Sequence, residues 1–232
     1  MQKKTAVIQS NYLPWKGYFD IIHDVEVFVF YDDVQFTKND WRNRNKIKTD
    51  KGASWLTIPV GKDINRLICE VELSTHEWQS QHWGLLNQWY SKAPYFNLYK
   101  EFFKDFYLGK NWKSLSELNQ YLISKISKDF LGLQTKFIDS RLFNLKGVRE
   151  ERLLKLLEKV EAQHYVTGPA ARNYLEPAHF AQNGMTLEFK DYSSYVEYPQ
   201  LHPPFVHEVS IVDLLFNCGP QTAEFIWGKS ST

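Results

Sequence analysis

Apolar positions in the first part of the chain fall into two short runs a helix apart. Ala6, Val7 and Ile8 form the first, and it breaks at once into polar and aromatic residues before Pro14, Gly17 and a helix-like Tyr18-Phe19-Asp20-Ile21-Ile22 segment. The second, Val25 to Tyr31, is rich in β-branched and aromatic residues and ends on Asp32-Asp33. Two buried-type strands separated by a helix predict a βαβ crossover, and with it a parallel sheet. A polar loop from Lys38 to Lys48 follows. Trp55 to Val60 predicts a short strand, placed at an end or edge by Pro59, and Leu67 to Leu73 predicts another.

From Thr75 the apolar period changes to that of a helix. Trp78, His82, Leu85 and Trp89 share one face, with Leu86 beside them, up to Pro94. Tyr95 to Tyr107 predicts a second helix. Ser114 and Glu117 have the spacing of a capping box opening a third, which Gly132 ends. Residues 76–132 are therefore expected to form a helical insertion capping the sheet. Alternation then resumes. A strand is predicted over Thr135–Ile138, a helix over Val148–Val160 and a strand over His164–Thr167. Broken helix from Ala170 to Asn183 leads to a last strand, Met185–Phe189. After a polar loop from Asp191 to Glu208 come a helix over Ser210–Asn217 and a final one to about Gly228, with a disordered tail over Lys229–Thr232. The fold class is α/β, a single domain over residues 1–232 with a mostly parallel, Rossmann-like sheet and the helical insertion in its middle third.

Composition narrows the function classes. The formal net charge of +1 over 232 residues offers no basic field for nucleic acid. No apolar stretch is long enough to span a bilayer, and no leader-type segment precedes the first strand, so a cytoplasmic protein without membrane insertion is expected. Cys69 and Cys218 lack metal-type spacing and fit two buried thiols in a reducing compartment. Aromatic residues make up 16% of the chain, including eight Trp. Core packing accounts for some of them, and flat faces for sugar or base rings are the other use.

Ligands of parallel sheets gather at the carboxyl ends of the strands, and both opening strands end in polar chemistry. Gln9, Asn11, Tyr12 and Trp15 follow the first, where a helix N-terminus also offers free N–H groups to an anion. An ordinary βα turn is the plainer account of them. Asp32 and Asp33 follow the second and suit a sugar hydroxyl, a metal or base catalysis, or simply a turn. Adjacent strand residues face opposite ways, so at most one enters a site. Arg42 and Arg44, beside Trp41, Asn43 and Asn45, suit phosphate or carboxylate recognition, a solvated basic loop being the plainer account of Arg42. Arg149 and Arg152 open a helix against its dipole, which hints at a neighbouring anion, although ion pairs with Glu150 and Glu151 are simpler for Arg149. His82 lies among tryptophans as a core histidine. His207, in a polar loop near Tyr198 and Gln200, which are expected to touch substrate, is the candidate base, with Asp213 as its possible orienter. No metal-ligand cluster occurs, and no metal or cofactor is expected.

These residues carry a resemblance over nearly the whole chain. Gln9, Tyr12, Pro14, Trp15, Gly17, Tyr18, Phe19 and Asp20, the Tyr31–Phe36 element, the Trp41–Asn45 loop, Tyr165 with Gly168, Tyr174-Leu175, and Ser210 to Gly219 resemble the WbqC-like protein family. Ser10 departs from the proline many members carry there. The resemblance implies an enzyme of surface-polysaccharide (O-antigen, lipopolysaccharide) synthesis that transfers an acyl or aminoacyl group to a sugar amine. Its partners would be a nucleotide-linked amino sugar and an acyl donor on coenzyme A or a carrier protein. It favours Arg44 over Arg42, and adds Tyr18, Gly168 and Tyr174 to the expected substrate contacts. Catalysis would rest on His207, Asp33 and Asp213. With no Ser-His-Asp elbow and two structural cysteines, direct transfer without a covalent enzyme intermediate is expected. The rival readings are a nucleotide-dependent ligase or nucleotidylyltransferase-like enzyme, and a non-catalytic sugar-binding accessory protein. Adenylyltransferases of the HxGH type place histidines where this chain has Trp15-Lys16-Gly17-Tyr18, which weakens the former.

Overall fold

The computed structural model of the chain describes residues 3–228, so the predicted disordered tail lies outside the described residues. Seven strands occur among the described residues: β1 (Lys4–Ile8), β2 (Val27–Phe30), β3 (Arg44–Thr49), β4 (Gly52–Thr57), β5 (Lys136–Asp139), β6 (His164–Thr167) and β7 (Thr186–Phe189). Five of them form one sheet in the order β5-β2-β1-β6-β7, every neighbouring pair parallel. The chain moves outward from β1 to β2 and β5, then crosses back to β6 and β7. The direction of winding therefore reverses between β1 and β6, at the place where open α/β sheets form a crevice.

The helices are α1 (Lys16–His23), α2 (Glu77–Tyr90), α3 (Phe96–Lys104), α4 (Leu115–Lys125), α5 (Arg149–Lys159), α6 (Pro177–Gln182), α7 (Ile211–Cys218) and α8 (Glu224–Trp227). The helical middle region is thus α2 to α4, with α3 and α4 running on into π-helical turns at Asp105–Gly109 and Ile126–Phe130. Ser114 caps α4 by accepting the Glu117 N–H.

Period-2 alternation in β2 separates the two faces of the sheet. Val27 and Val29 face α5 and α6, joining Leu153, Leu156, Leu157 and Phe180. Phe28 and Phe30 face α1 and the helical middle. Much of the aromatic excess is spent there. Tyr90, Phe96 and Phe103 surround Phe216 of α7 with ring centroids 5.2, 5.1 and 5.3 Å away. Helix α7 is buried on all sides, all eight of its residues lying in the interior, which makes it the post around which the helical region and the sheet are joined.

Two expectations are corrected. The polar loop predicted over Lys38–Lys48 is strand β3 from Arg44 onward, paired antiparallel with β4 as a separate hairpin; β4 ends at Thr57, short of Pro59. The hairpin shows little apolar alternation because the buried residues of β3 include Asn45, Lys48 and Thr49, spread over both faces. Leu67–Leu73 is not a strand. It forms a 3-10 turn over Ile68–Glu70, with single bridges at Leu67 and Glu72. Its apolar residues Ile68, Val71 and Leu73 are buried, so the alternation reflects packing without a sheet partner.

Candidate functional site

After β1 the chain turns through Leu13, whose φ of 43° is unusual for a branched, buried residue. The turn is held from several sides. The Asn45 side-chain amide donates to the carbonyls of both Tyr12 and Leu13, at 3.2 and 2.7 Å. The Tyr12 N–H donates to the Trp41 carbonyl at 2.9 Å, and the Ile211 N–H to the Pro14 carbonyl at 2.9 Å. The Ser210 N–H in turn donates to the Lys46 carbonyl at 2.8 Å. Backbone strain of this kind persists where the surroundings over-determine it, and such places concentrate at functional sites.

The three segments so joined enclose a cavity of about 290 Å³ lined by Asn11, Pro14, Trp15, Trp41, Asn45 and Glu208. Trp15 is fixed edge-on to Tyr192 and Tyr195, at 4.9 and 5.9 Å between centroids. Its indole lies across the first turn of α1, where a Cβ on Gly17 would come 2.3 Å from it. Gly17 is therefore required by the ring beside it. Trp41 leans on Trp55 at 5.5 Å, and each remains 41% exposed. Arg42 donates to Asn11 Oδ1 at 2.6 Å and sits 3.4 Å from Asp40. Burial pushes the Asp40 carboxyl up, but Arg42, Thr37, the Trp41 N–H and Arg44 together hold it below its ordinary value. The Arg44 guanidinium lies 4.2 Å over the Trp55 ring, and its Nε is buried without an acceptor. Lys46 is 5.2 Å from the same ring and 3.7 Å from Glu208, whose side chain is 76% exposed.

Of the residues expected to meet at one site, Asn11, Trp15 and Trp41 line this cavity and Arg44 lies just beyond it. Others point elsewhere. The Tyr12 ring is fully buried, its hydroxyl bonded to His82 Nδ1 at 2.8 Å and to the Tyr107 hydroxyl. Burial lowers the His82 pKa to about 4, so this histidine is neutral at pH 7. Tyr18 is buried and donates to the Gln9 carbonyl at 3.0 Å. Asn43 is buried and donates to the Ile58 carbonyl at 3.0 Å. Asp32 is sealed in, accepting the Ser10 N–H at 2.8 Å, the Gln120 amide at 3.0 Å and the Ser116 hydroxyl. Asp33 accepts from Arg152 at 2.5 Å and from the Ser140 hydroxyl. The anion beside Arg152 is thus Asp33. Gln9 and Gly168 sit at the ends of β1 and β6, flanking the reversal point, and Tyr174 is 69% exposed.

The pairing of His207 with Asp213 is corrected. Asp213 is fully buried on α7 and accepts from Tyr90, Tyr198 and Gln200 at 2.9, 2.8 and 2.8 Å. Burial raises its pKa against the pull of those three donors and of Lys48. Tyr198 and Gln200 are therefore committed to Asp213. His207 packs edge-on against Phe205 at 4.5 Å, with its Nδ1 buried and unpartnered. Burial and then Lys16 lower its pKa, while Glu197 and Glu208 oppose them. It is a neutral imidazole at pH 7, next in the chain to a cavity-lining carboxylate.

Glu208, Trp55 and Lys16 were not among the expected site residues, and Asn45 was expected only as part of the loop that carries Arg42 and Arg44. Trp55 carried a signal, since it pairs with Lys46 once Arg44–Thr49 is seen as a strand. Lys16 is only 2% exposed. Its ammonium donates to the Val196 and Phe225 carbonyls at 3.2 and 3.3 Å, lies 4.6 Å from the Tyr195 ring, and has a pKa lowered by burial to about 8. Among the described residues, no group of three His, Cys, Asp or Glu side chains is placed to hold a metal ion, and no helix is long and apolar enough to cross a membrane.

The sequence profile of the WbqC-like protein family matches residues 9–225 of this chain. The chain is also 39% identical over 227 residues to an uncharacterized protein of Mycobacterium tuberculosis, Rv1507c, with 97% of each chain covered. No solved structure gives a significant match.

Proposed function

The chain belongs to the WbqC-like protein family, and from that premise we propose that it transfers an acyl or aminoacyl group from a thioester to the amine of a nucleotide-linked amino sugar. The observation that carries this reading is the cavity. About 290 Å³ suits a single sugar ring, and its walls offer two indoles, two side-chain amides and one carboxylate. Indole faces suit the C–H faces of a pyranose and Glu208 suits an ammonium, while Asn45, its amide bonded to the Tyr12 and Leu13 carbonyls and the Lys46 N–H, shapes the wall.

The chemistry follows from the same residues. In the proposed step the sugar nitrogen attacks the thioester carbonyl, the N–C bond forms, the C–S bond breaks, and the thiol leaves. The ammonium must lose a proton first, and His207, neutral at pH 7, is the group proposed to take it. Because Arg42 can only donate, Asn11 presents Oδ1 to it. Its Nδ2 is left to stabilise the developing oxyanion. Asp213 supports this machinery at a distance, by holding Tyr198 and Gln200 in the loop that leads to His207. A donor on coenzyme A or a carrier protein goes with a cytoplasmic enzyme.

The test is incubation of the purified protein with a panel of acyl and aminoacyl thioesters and nucleotide-linked amino sugars, without ATP, followed by mass spectrometry. The expected product is the amide, lost in Asn11→Ala and His207→Ala. Absence of amide from every pair would overturn the reading. A second reading, a nucleotide-dependent ligase, is favoured by the strand order, since the reversal between β1 and β6 is a habitual nucleotide position. Product formed from the free acid only when ATP is present would select it. Saturable sugar binding without turnover would select an accessory role.

A further inference from the structure

The cavity holds one ring, so the carrier of a nucleotide-linked sugar has to lie outside it. Trp15 is closed behind by Tyr192 and Tyr195. Arg42 is engaged with Asn11 and Asp40. Trp41, by contrast, leads from the cavity wall directly to the exposed Trp55.

We propose that Trp41, Trp55, Arg44 and Lys46 form a strip that binds the nucleoside diphosphate, the base against the paired indoles and the diphosphate on the two cations. This assignment rests on the cavity taking the sugar, as argued above. It stands on three features. The platform is stiff, because Trp55 lies on a hairpin paired at six positions, directly opposite Lys46. The platform is accessible: each indole keeps 41% of its surface in solvent, with Arg44 lying over Trp55, and among the described residues Tyr174 is the other exposed aromatic (Phe, Tyr or Trp) side chain. The strip also has spare positive charge. Among the described residues no carboxylate comes within ion-pair distance of Arg44, and its buried Nε lacks an acceptor. Lys46 has just the long contact to exposed Glu208.

The order along the strip is chemically coherent. Trp41 and Glu208 line the cavity itself, Trp55 is the outer indole, and Arg44 and Lys46 lie against Trp55. Guanidinium forks suit phosphate oxygens, and every nucleobase presents a π-face to an aromatic platform.

The experiment is titration of the full-length protein with uridine, adenosine, guanosine and thymidine diphosphates, and with inorganic pyrophosphate, followed by tryptophan fluorescence and calorimetry. At least one nucleoside diphosphate is expected to quench the fluorescence saturably. Trp55→Ala should weaken that binding about tenfold or more while leaving pyrophosphate affinity unchanged. Arg44→Ala should weaken both ligands, with a shallower salt dependence. Circular dichroism of each variant establishes that it is folded. Failure of all four nucleotides to bind, or affinity within twofold of wild type in folded Trp55→Ala, overturns the strip. The two proposals fail separately: amide formation with nucleotide affinity untouched by Trp55→Ala removes the strip alone, and Trp55-dependent nucleotide binding without any amide product removes the transfer reaction alone.

Discussion

The carboxyl ends of β1 and β2 lie side by side, paired in register from Thr5 and Val27 to Ile8 and Phe30, and both are followed by polar residues. One end is open and the other is shut. Past β1, Asn11 and Trp15 face a cavity. Past β2, Asp32 and Asp33 are used up by Ser10, Ser116 and Gln120 on one side and Ser140 and Arg152 on the other. What distinguishes them is the number of donors that other parts of the chain bring to each carboxylate. Those donors come from 22 to 119 residues away. A polar cluster at a strand end is therefore a candidate site until its partners are counted.

Breaking the shut end should cost the most. Asp32→Ala leaves two buried donors, the Ser10 N–H and the Ser116 hydroxyl, without their acceptor, while Gln120 keeps Asp139, and a loss of about 4 kcal/mol is expected in urea unfolding. Asp32→Asn should recover part of it. A change below about 1 kcal/mol would show that the end is not sealed as described.

The buried histidine that anchors Tyr12 gives the next effect. A folded pKa of about 4 against an ordinary 6.5 means that the folded protein binds fewer protons between those values. Its contribution to stability is therefore complete above pH 6.5 and is lost as pH falls through 4. About 3 kcal/mol should disappear over that window, and His82→Gln should flatten the slope of unfolding free energy against pH.

Asp33 and Arg152 are partly buried partners. Asp33→Ala and Arg152→Ala are each expected to lose about 2 kcal/mol, with the double variant losing clearly less than their sum. Simple additivity in that cycle would refute a direct pair.

At the open end the expectation reverses. Trp41→Ala, at an exposed position, should change stability by less than about 1 kcal/mol, while sugar-nucleotide binding falls severalfold. If Trp41→Ala unfolded the protein as readily as Asp32→Ala, the contrast between the two ends would be gone.

The sheet was largely legible because its strands are written in Val, Ile, Phe and Tyr, and the middle helices because Trp78, Leu86, Leu118 and Leu122 recur at helical spacing. The β3–β4 hairpin was hidden, since Asn45, Lys48 and Thr49 occupy buried positions that a strand usually gives to apolar residues. The site was legible in part. Asn11, Trp15 and Trp41 announce themselves as polar or aromatic residues beside a strand end or within a polar loop. Tyr12 and Asp32 do so equally, yet both are interior. Their partners, His82 and Tyr107 for one and Ser116 and Gln120 for the other, lie in helices whose placement no local pattern reveals. Glu208 went unnoticed for the converse reason. It is an ordinary exposed glutamate until α7 brings it to the cavity mouth.

The bonds from Tyr12 to His82 and Tyr107 bear on how pieces of such proteins can be exchanged. A chimaera that takes residues 76–132 from a relative imports two of the three groups in that cluster and inherits the third. Grafts should succeed when donor and host agree at positions 12, 82 and 107 together. Where they disagree, the damage should surface in the loop at Leu13, next to Tyr12 and outside the exchanged residues.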